Sequence, residues 1–173
     1  TAPAATTPII YPGTAYTNDD LNCEVTLGDG EQSSLTAYWE WYRNNIWFSS
    51  GSASVTNNTA ANVTTLLNSN TVKGETWVCK VTPNDGSVNG TQQSSAGRLI
   101  LNTLPPTSNI LLSPANPNTT SDLVCTASGG TDLDSDSVTY FYKWYNGTTS
   151  MFAEGPQVGP STLGNGNTTR DDV

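Results

Sequence analysis

Three aspartates separated by single residues are the most chemically suggestive feature of the sequence. Asp132, Asp134 and Asp136 lie within one short segment. Carboxylates this close repel one another unless a hard cation bridges them, and Ca²⁺ prefers about six to eight oxygen ligands in a flexible loop. The glycine and the closing glutamate of an EF-hand loop are missing. These aspartates are therefore candidate Ca²⁺ ligands, and a solvated acidic turn is the other interpretation of the same pattern.

The usual catalytic constellations are missing from the sequence. The chain has no histidine, which excludes a histidine base, nucleophile or metal ligand. The carboxylates of Asp19-Asp20 and Asp171-Asp172 do not form the pair a glycosidase needs, because adjacent residues tend to point apart. P-loop, nucleophile-elbow and zinc spacings are also missing. We therefore predict that the protein is not an enzyme and requires no cofactor, with Ca²⁺ as the one candidate metal ion.

Charge and composition exclude further classes of function. The 173 residues carry a formal net charge of −9, although only 12% of them are charged. An acidic chain is not expected to bind nucleic acid or an anionic membrane. No segment approaches the roughly 18 consecutive apolar residues of a membrane span. Five Trp and seven Tyr favour a packed core over a disordered chain.

Six Asn-x-Ser/Thr sequons predict N-linked glycans. They begin at Asn57, Asn62, Asn89, Asn118, Asn146 and Asn167. A chain rich in Asn and Thr contains several such triplets by chance, so the prediction depends on their lying in turns or on polar strand faces. Glycosylation would place the protein outside the cell or on its surface.

The sequence repeats itself after about one hundred residues. The segment 20–23 (DLNC) reappears as 122–125 (DLVC), and the aromatic segment 38–42 (YWEWY) reappears as 141–145 (FYKWY). We therefore predict two related units in tandem.

The second copy matches the first only up to a point. The segment 70–76 (NTVKGET) matches 167–173 (NTTRDDV), and in the first copy Trp77 and Cys79 follow. We therefore expect the second unit to lack its final strands, either through truncation or as part of a strand-exchange design.

The three cysteines agree with this division. Cys23 and Cys79 lie in the first copy, and Cys125 is left without a counterpart to Cys79. That partner would follow Val173, and a free reactive thiol is the alternative. The cysteine pattern favours an oxidising, extracellular compartment.

The sequence pattern predicts β-strands in both units. Apolar and polar residues alternate through 21–27, 38–42 and 77–82, which is the period of half-buried strands. The segment 83–86 (PNDG) is a turn, since Asn, Asp and Gly tolerate the backbone conformation it needs. Without any helical periodicity, the chain is predicted to be all-β, with the order Cys, Trp, Cys favouring a sandwich.

These residues resemble the immunoglobulin-like superfamily. Cys23 corresponds to the cysteine of strand B, Trp41 to the core tryptophan and Cys79 to the cysteine of strand F. Trp77 stands where the family usually has a corner tyrosine. The sequence more narrowly resembles the tandem immunoglobulin-like repeats of microbial (archaeal or bacterial) cell-surface proteins. This narrower resemblance rests on the segments 77–86, 121–125 and 132–137.

The resemblance implies two tandem immunoglobulin-like β-sandwich domains, the second incomplete at its C-terminus. It implies a disulfide between Cys23 and Cys79, which in the chain-entropy account contributes about 4 kcal/mol. Trp41, Trp77 and Trp144 are the expected core tryptophans.

Four segments follow from this organisation. Residues 1–8 form an extended N-terminal segment without a fold of its own, a candidate donor strand for another chain. Residues 9–103 form the first domain, 104–107 a Pro-rich linker and 108–173 the second domain. The prolines of the linker favour a semi-rigid spacer.

The resemblance also gives the acidic loop a position. In the immunoglobulin-like layout this loop joins strands B and C at the end that faces the preceding domain. Glu75, at the facing end of the first unit, is then a candidate fourth ligand. We therefore expect any Ca²⁺ to stiffen the joint between the domains.

Several aromatic residues are candidates for a binding face. Tyr38, Tyr42, Trp47 and Phe48 include rings expected to lie outside the core, where they could stack on sugars or anchor a neighbouring subunit. Partial burial beneath the sheet edge is the alternative.

Three functions are compatible with the sequence. The first is a glycosylated, non-catalytic repeat of an extracellular fibre or surface stalk, whose main partners are copies of itself. The second is an adhesive module that binds a glycan or a surface protein. The third is an accessory domain of a secreted enzyme. Fold resemblance does not choose among them.

Overall fold

The computed structural model describes residues 1–106 and 108–167, apart from the side chain of Phe152. It divides into two compact units, of which the first comprises Thr1–Thr103 and the second begins at Leu104. The described helices are two short 3₁₀ turns, Asn68–Asn70 and Asn165–Asn167. No helix in the described part of the chain is long and apolar enough to cross a membrane. The all-β prediction is confirmed, and the number of immunoglobulin-like domains stays a prediction.

The first unit contains two β-sheets. Its strands are β1 (Ala4–Ala5), β2 (Ile9–Tyr11), β3 (Ala15–Tyr16), β4 (Leu21–Gly28), β5 (Ser34–Arg43), β6 (Ile46–Thr56), β7 (Ala60–Leu66), β8 (Thr76–Asn84), β9 (Gln93–Ser94) and β10 (Arg98–Leu101). In one sheet β4 pairs with β1 and β2 on one side and β7 on the other. The other sheet has the order β3-β10-β8-β5-β6, with β9 also paired to β8 and with β3 parallel to β10.

Alternating burial along the central strands forms the core of the first unit. In β4 every second residue, from Leu21 to Leu27, is buried, and β8 shows the same pattern from Trp77 to Pro83. Side chains on a strand point alternately to opposite faces, so each sheet presents one apolar face. The two apolar faces pack together in a single cluster, which makes the first unit a β-sandwich.

The N-terminal segment belongs to the first unit's own sheet. Ala4 and Ala5 pair with Gly28 and Leu27, and the Thr6 amide donates to the Thr26 carbonyl at 2.9 Å. Ala4, Ala5 and Thr6 are thus held by the sheet of the same chain. Donation of this segment to another chain stays a prediction.

The second unit has five described strands. They are β11 (Asn109–Ser113), β12 (Leu123–Ser128), β13 (Tyr140–Asn146), β14 (Thr149–Gln157) and β15 (Ser161–Leu163). The order β11-β12-β15 forms one sheet, and β13 pairs with β14 in another. Thr107 of the predicted linker and residues 168–173, with the pair Asp171-Asp172, lie outside the described residues.

Candidate functional site

A disulfide joins the two sheets of the first unit. Cys23 on β4 and Cys79 on β8 are bonded, their Cα atoms are 6.4 Å apart and both side chains are fully buried. The predicted disulfide is confirmed. Trp41 on β5 is buried in the same core, so this centre stabilises the fold.

The hydrogen bond of the core tryptophan occurs in both units. The Trp41 indole Nε1 donates to Thr64 Oγ1 at 3.2 Å, and Thr64 is the strand partner of Cys23. In the second unit the Trp144 Nε1 donates to Ser161 Oγ at 2.6 Å. Ser161 is likewise the strand partner of Cys125. The two units therefore repeat one three-residue arrangement of tryptophan, hydroxyl and cysteine.

Trp77 also lies in the core, where the resemblance leads one to expect a tyrosine. Its Nε1 donates to the Glu75 Oε2 at 3.1 Å, and its ring meets the Phe48 ring edge-on with centroids 4.9 Å apart. The indole is thus satisfied by a carboxylate two residues earlier in the chain. Burial of the ring needs this partner, because an unpaired indole N–H would be costly inside the sandwich.

The acidic residues predicted to bind Ca²⁺ come together in the second unit. Carboxylate oxygens of Asp132, Asp134 and Asp136 lie within 4.8 Å of one another. The Asp132 side chain is only 5% exposed, and its Oδ1 accepts the amides of Asp134 at 2.8 Å and Asp136 at 3.2 Å. These hydrogen bonds are sufficient to hold the loop in this conformation without a metal ion. Ca²⁺ binding therefore stays a prediction.

Glu75, the fourth predicted ligand, has partners within the first unit. Its Oε2 accepts the Val72 amide at 2.9 Å as well as the Trp77 indole, and its Oε1 lies 3.5 Å from an Arg43 guanidinium nitrogen. The carboxylate therefore connects Trp77, at the start of β8, to Val72 in the preceding loop. Its role as a Ca²⁺ ligand stays a prediction.

Cys125 does not share the environment of the other two cysteines. It lies on β12, is partly buried and forms no disulfide in the described structure. Burial raises the pKa of its thiol, because a thiolate is poorly solvated there. The thiol therefore lacks the lowered pKa that activates a nucleophilic cysteine.

Five of the six sequon asparagines are exposed, namely Asn62, Asn89, Asn118, Asn146 and Asn167. Asn57 differs, since its Nδ2 donates to the carbonyls of Asp29 and Gln32, both at 2.6 Å. Its Oδ1 also accepts the Asp29 amide at 2.9 Å. A glycan on Asn57 would have to displace at least one of these bonds. Glycosylation itself stays a prediction.

The four candidate aromatic residues do not form one exposed face, although Tyr42 and Trp47 are strand partners in β5 and β6. Tyr38 and Trp47 are 46% and 55% exposed. Tyr42 is half-buried with the Lys80 ammonium 4.0 Å from its ring centroid, and Phe48 packs against the core. Of the four, Tyr38 alone lines a described cavity.

That cavity is an open groove of about 460 Å³ on the outer face of the six-stranded sheet that contains β5, β6 and β8. Its lining residues are Tyr38, Trp39, Glu40, Ser50, Gly51, Ser52, Thr82, Asn89 and Gln92. Glu40 Oε2 accepts the Gln92 Nε2 at 2.9 Å, and the same nitrogen donates to Thr82 Oγ1 at 3.2 Å. We call these residues the sheet-face groove.

Sequence reasoning missed Glu40 and Gln92. The alternation of Tyr38, Glu40 and Tyr42 was a usable signal for Glu40, because it places the carboxylate on the same strand face as the two tyrosines. Gln92 had no such signal, since it comes from the loop between β8 and β9 and meets Glu40 only in the folded chain.

No family model matches the chain. A search of curated proteins also found no match.

Proposed function

We propose that this chain is a non-catalytic structural repeat of an extracellular fibre or surface stalk, built from tandem immunoglobulin-like units. The observation that carries the proposal is the repeated core. Trp41 with Thr64, and Trp144 with Ser161, form the same hydrogen bond beside equivalent cysteines. Tandem copies of one stable unit are the usual way to build length from a single chain.

The disulfide supports an extracellular setting. Disulfides persist in secreted and surface proteins and are rare in the cytosol. The Cys23–Cys79 bond also links the two sheets, so a pulling force that separates them must act against a covalent bond. The expected partners of such a repeat are further copies of itself.

The test is immunoelectron microscopy of extracellular material from cells that produce the protein. An antibody raised against the first unit should decorate filaments or stalks at a regular axial interval. Antibody pre-adsorbed with the purified unit is the control for unspecific labelling. Labelled particles that are separate from any filament or stalk would overturn the proposal.

An adhesive module is the second candidate, and the sheet-face groove is the observation that favours it. The role of accessory domain in a secreted enzyme remains a prediction. It would be supported by a catalytic domain encoded in the same reading frame.

A further inference from the structure

We propose that the sheet-face groove binds a neutral saccharide. This site goes beyond the structural role proposed above and does not depend on it. It rests on the second candidate, the adhesive module, and names the class of ligand that this module would bind.

Strand register assembles the floor of the groove. On β5, Tyr38 is paired with Ser52 of β6 and with Thr82 of β8. Glu40, two residues further along, is paired with Ser50 of β6. Residues two apart on a strand share a face, so a ring, a carboxylate and several hydroxyls point to the same side of the sheet.

The polar groups of the floor are held in place before any ligand arrives. The Gln92 Nε2 donates to both Glu40 Oε2 and Thr82 Oγ1, which connects the loop after β8 to strands β5 and β8. The Tyr42 hydroxyl lies 3.5 Å from the same Glu40 oxygen. A ligand that binds here meets an ordered set of acceptors, so little side-chain entropy is lost on binding.

Aromatic surface lies next to these acceptors. The Tyr38 ring is half-exposed and lies on the same face of β5 as Glu40. The Trp39 indole lies on the opposite face and packs against the core, so Tyr38 supplies the aromatic contact of the groove. Aromatic faces provide apolar contact area, and the C–H face of a hexopyranose ring is a suitable partner.

The chemistry of the lining selects the class of ligand. A carboxylate, amides and hydroxyls accept and donate hydrogen bonds as sugar hydroxyls require. Lys80 is the strand partner of Glu40, but its ammonium lies over the Tyr42 ring. The Glu40 carboxylate and the net charge of −9 then oppose phosphates and uronic acids. The volume of about 460 Å³ falls within the range of about 300–1,000 Å³ common for small-ligand sites. A neutral mono- or disaccharide unit fits these conditions best.

The saccharide can come from two sources. Asn89 lines the groove and begins the sequon Asn89-Gly90-Thr91. A glycan attached to Asn89 would therefore begin at the rim of the groove and could fold back into it. A glycan of another molecule offers the same hydroxyl-rich chemistry.

The binding test uses the full chain made in a host that does not glycosylate it. The probes are an array of neutral glycans, a matched set of sialylated and sulfated glycans, and NMR titration with the neutral glycans that bind. At least one neutral glycan should bind, and Tyr38→Ala and Glu40→Gln should each weaken that binding by tenfold or more. Trp47→Ala is the matched control, since Trp47 is an exposed aromatic residue outside the groove lining.

Several results would overturn the proposal. They are failure of every neutral glycan to bind, binding confined to the charged glycans or to peptides, and neutral-glycan binding that both groove variants leave unchanged. Circular dichroism of each variant confirms that its fold is intact. Failure here leaves the immunoelectron microscopy of filaments unaffected, so the two proposals are tested separately.

A second arm distinguishes the two sources of saccharide. Wild-type chain and Thr91→Ala, which removes the Asn89 sequon, are both produced in a glycosylating host. If the Asn89 glycan occupies the groove, Thr91→Ala should bind free glycan at least tenfold more tightly than wild type. Equal affinities would identify the glycan of another molecule as the ligand. The proposed site would be wrong if neither glycosylated wild type nor Thr91→Ala bound free glycan and NMR showed no contact between the Asn89 glycan and Tyr38.

Discussion

The indole Nε1 of Trp144 donates a hydrogen bond of 2.6 Å to the Oγ of Ser161 in the interior of the second unit. The corresponding pair in the first unit is Trp41 and Thr64, at 3.2 Å. In each pair the hydroxyl residue is the strand partner of a cysteine. The bond therefore orients the large ring against the same position of the opposite sheet in both units.

Loss of the Ser161 hydroxyl should destabilise the second unit. Ser161→Ala leaves the buried Trp144 N–H without its acceptor, which costs about 1–3 kcal/mol of unfolding free energy. Urea denaturation of the full chain, followed by tryptophan fluorescence, measures this change. Thr162→Ala, at the exposed neighbouring position, is the control. Equal stabilities of the two variants would contradict the prediction.

Removal of the disulfide should have a larger effect on the first unit. In the chain-entropy account, a bond across a sequence separation of 56 residues contributes about 4 kcal/mol. The double variant Cys23→Ala/Cys79→Ala should therefore lower the unfolding free energy of this unit by roughly that amount. Cys125→Ala is the control for loss of a cysteine outside the disulfide. A loss below about 1 kcal/mol would show that the sheets are held by packing alone.

Asn57 should contribute more to the stability of the first unit than the exposed sequon residue Asn62 does. Asn57→Ala removes two donated bonds to backbone carbonyls and one accepted bond, so we expect a loss of about 1–3 kcal/mol. Asn62→Ala is the control, because it also removes a sequon, but the two bonds it loses are solvent-exposed and join it to the side chains of Asn22 and Thr65. Thermal denaturation of both variants, made without glycosylation, measures the difference. A variant at Asn57 no less stable than the one at Asn62 would contradict this role.

The Cys125 thiol should react slowly at mildly alkaline pH. Burial raises its pKa, so at a given pH less of it is the reactive thiolate than in the unfolded chain. The rate of carbamidomethylation by iodoacetamide should therefore rise at higher pH in the folded protein than in urea. Mass spectrometry of the modified peptide follows the reaction while the Cys23–Cys79 bond stays intact. A folded-state pH profile at or below the unfolded one would contradict this expectation.

Local patterns in the sequence predicted the central strands of the first unit and its disulfide. Alternation of apolar and polar residues predicted β4, β5 and β8, because the side-chain period of a strand is local information. The positions of Cys23, Trp41 and Cys79 indicated a disulfide-bridged sandwich, and the structure contains that disulfide.

Tertiary structure alone decided which residues from different strands meet. Ala4 and Ala5 pair with β4, so the N-terminal segment is part of a sheet of the first unit. The contact of Gln92 with Glu40 formed the sheet-face groove, and Phe48 packed against the core instead of joining Tyr38. Strand order and register set these contacts. Strand order and register in turn depend on how the apolar faces of the two sheets pack together. A local sequence pattern does not contain that information.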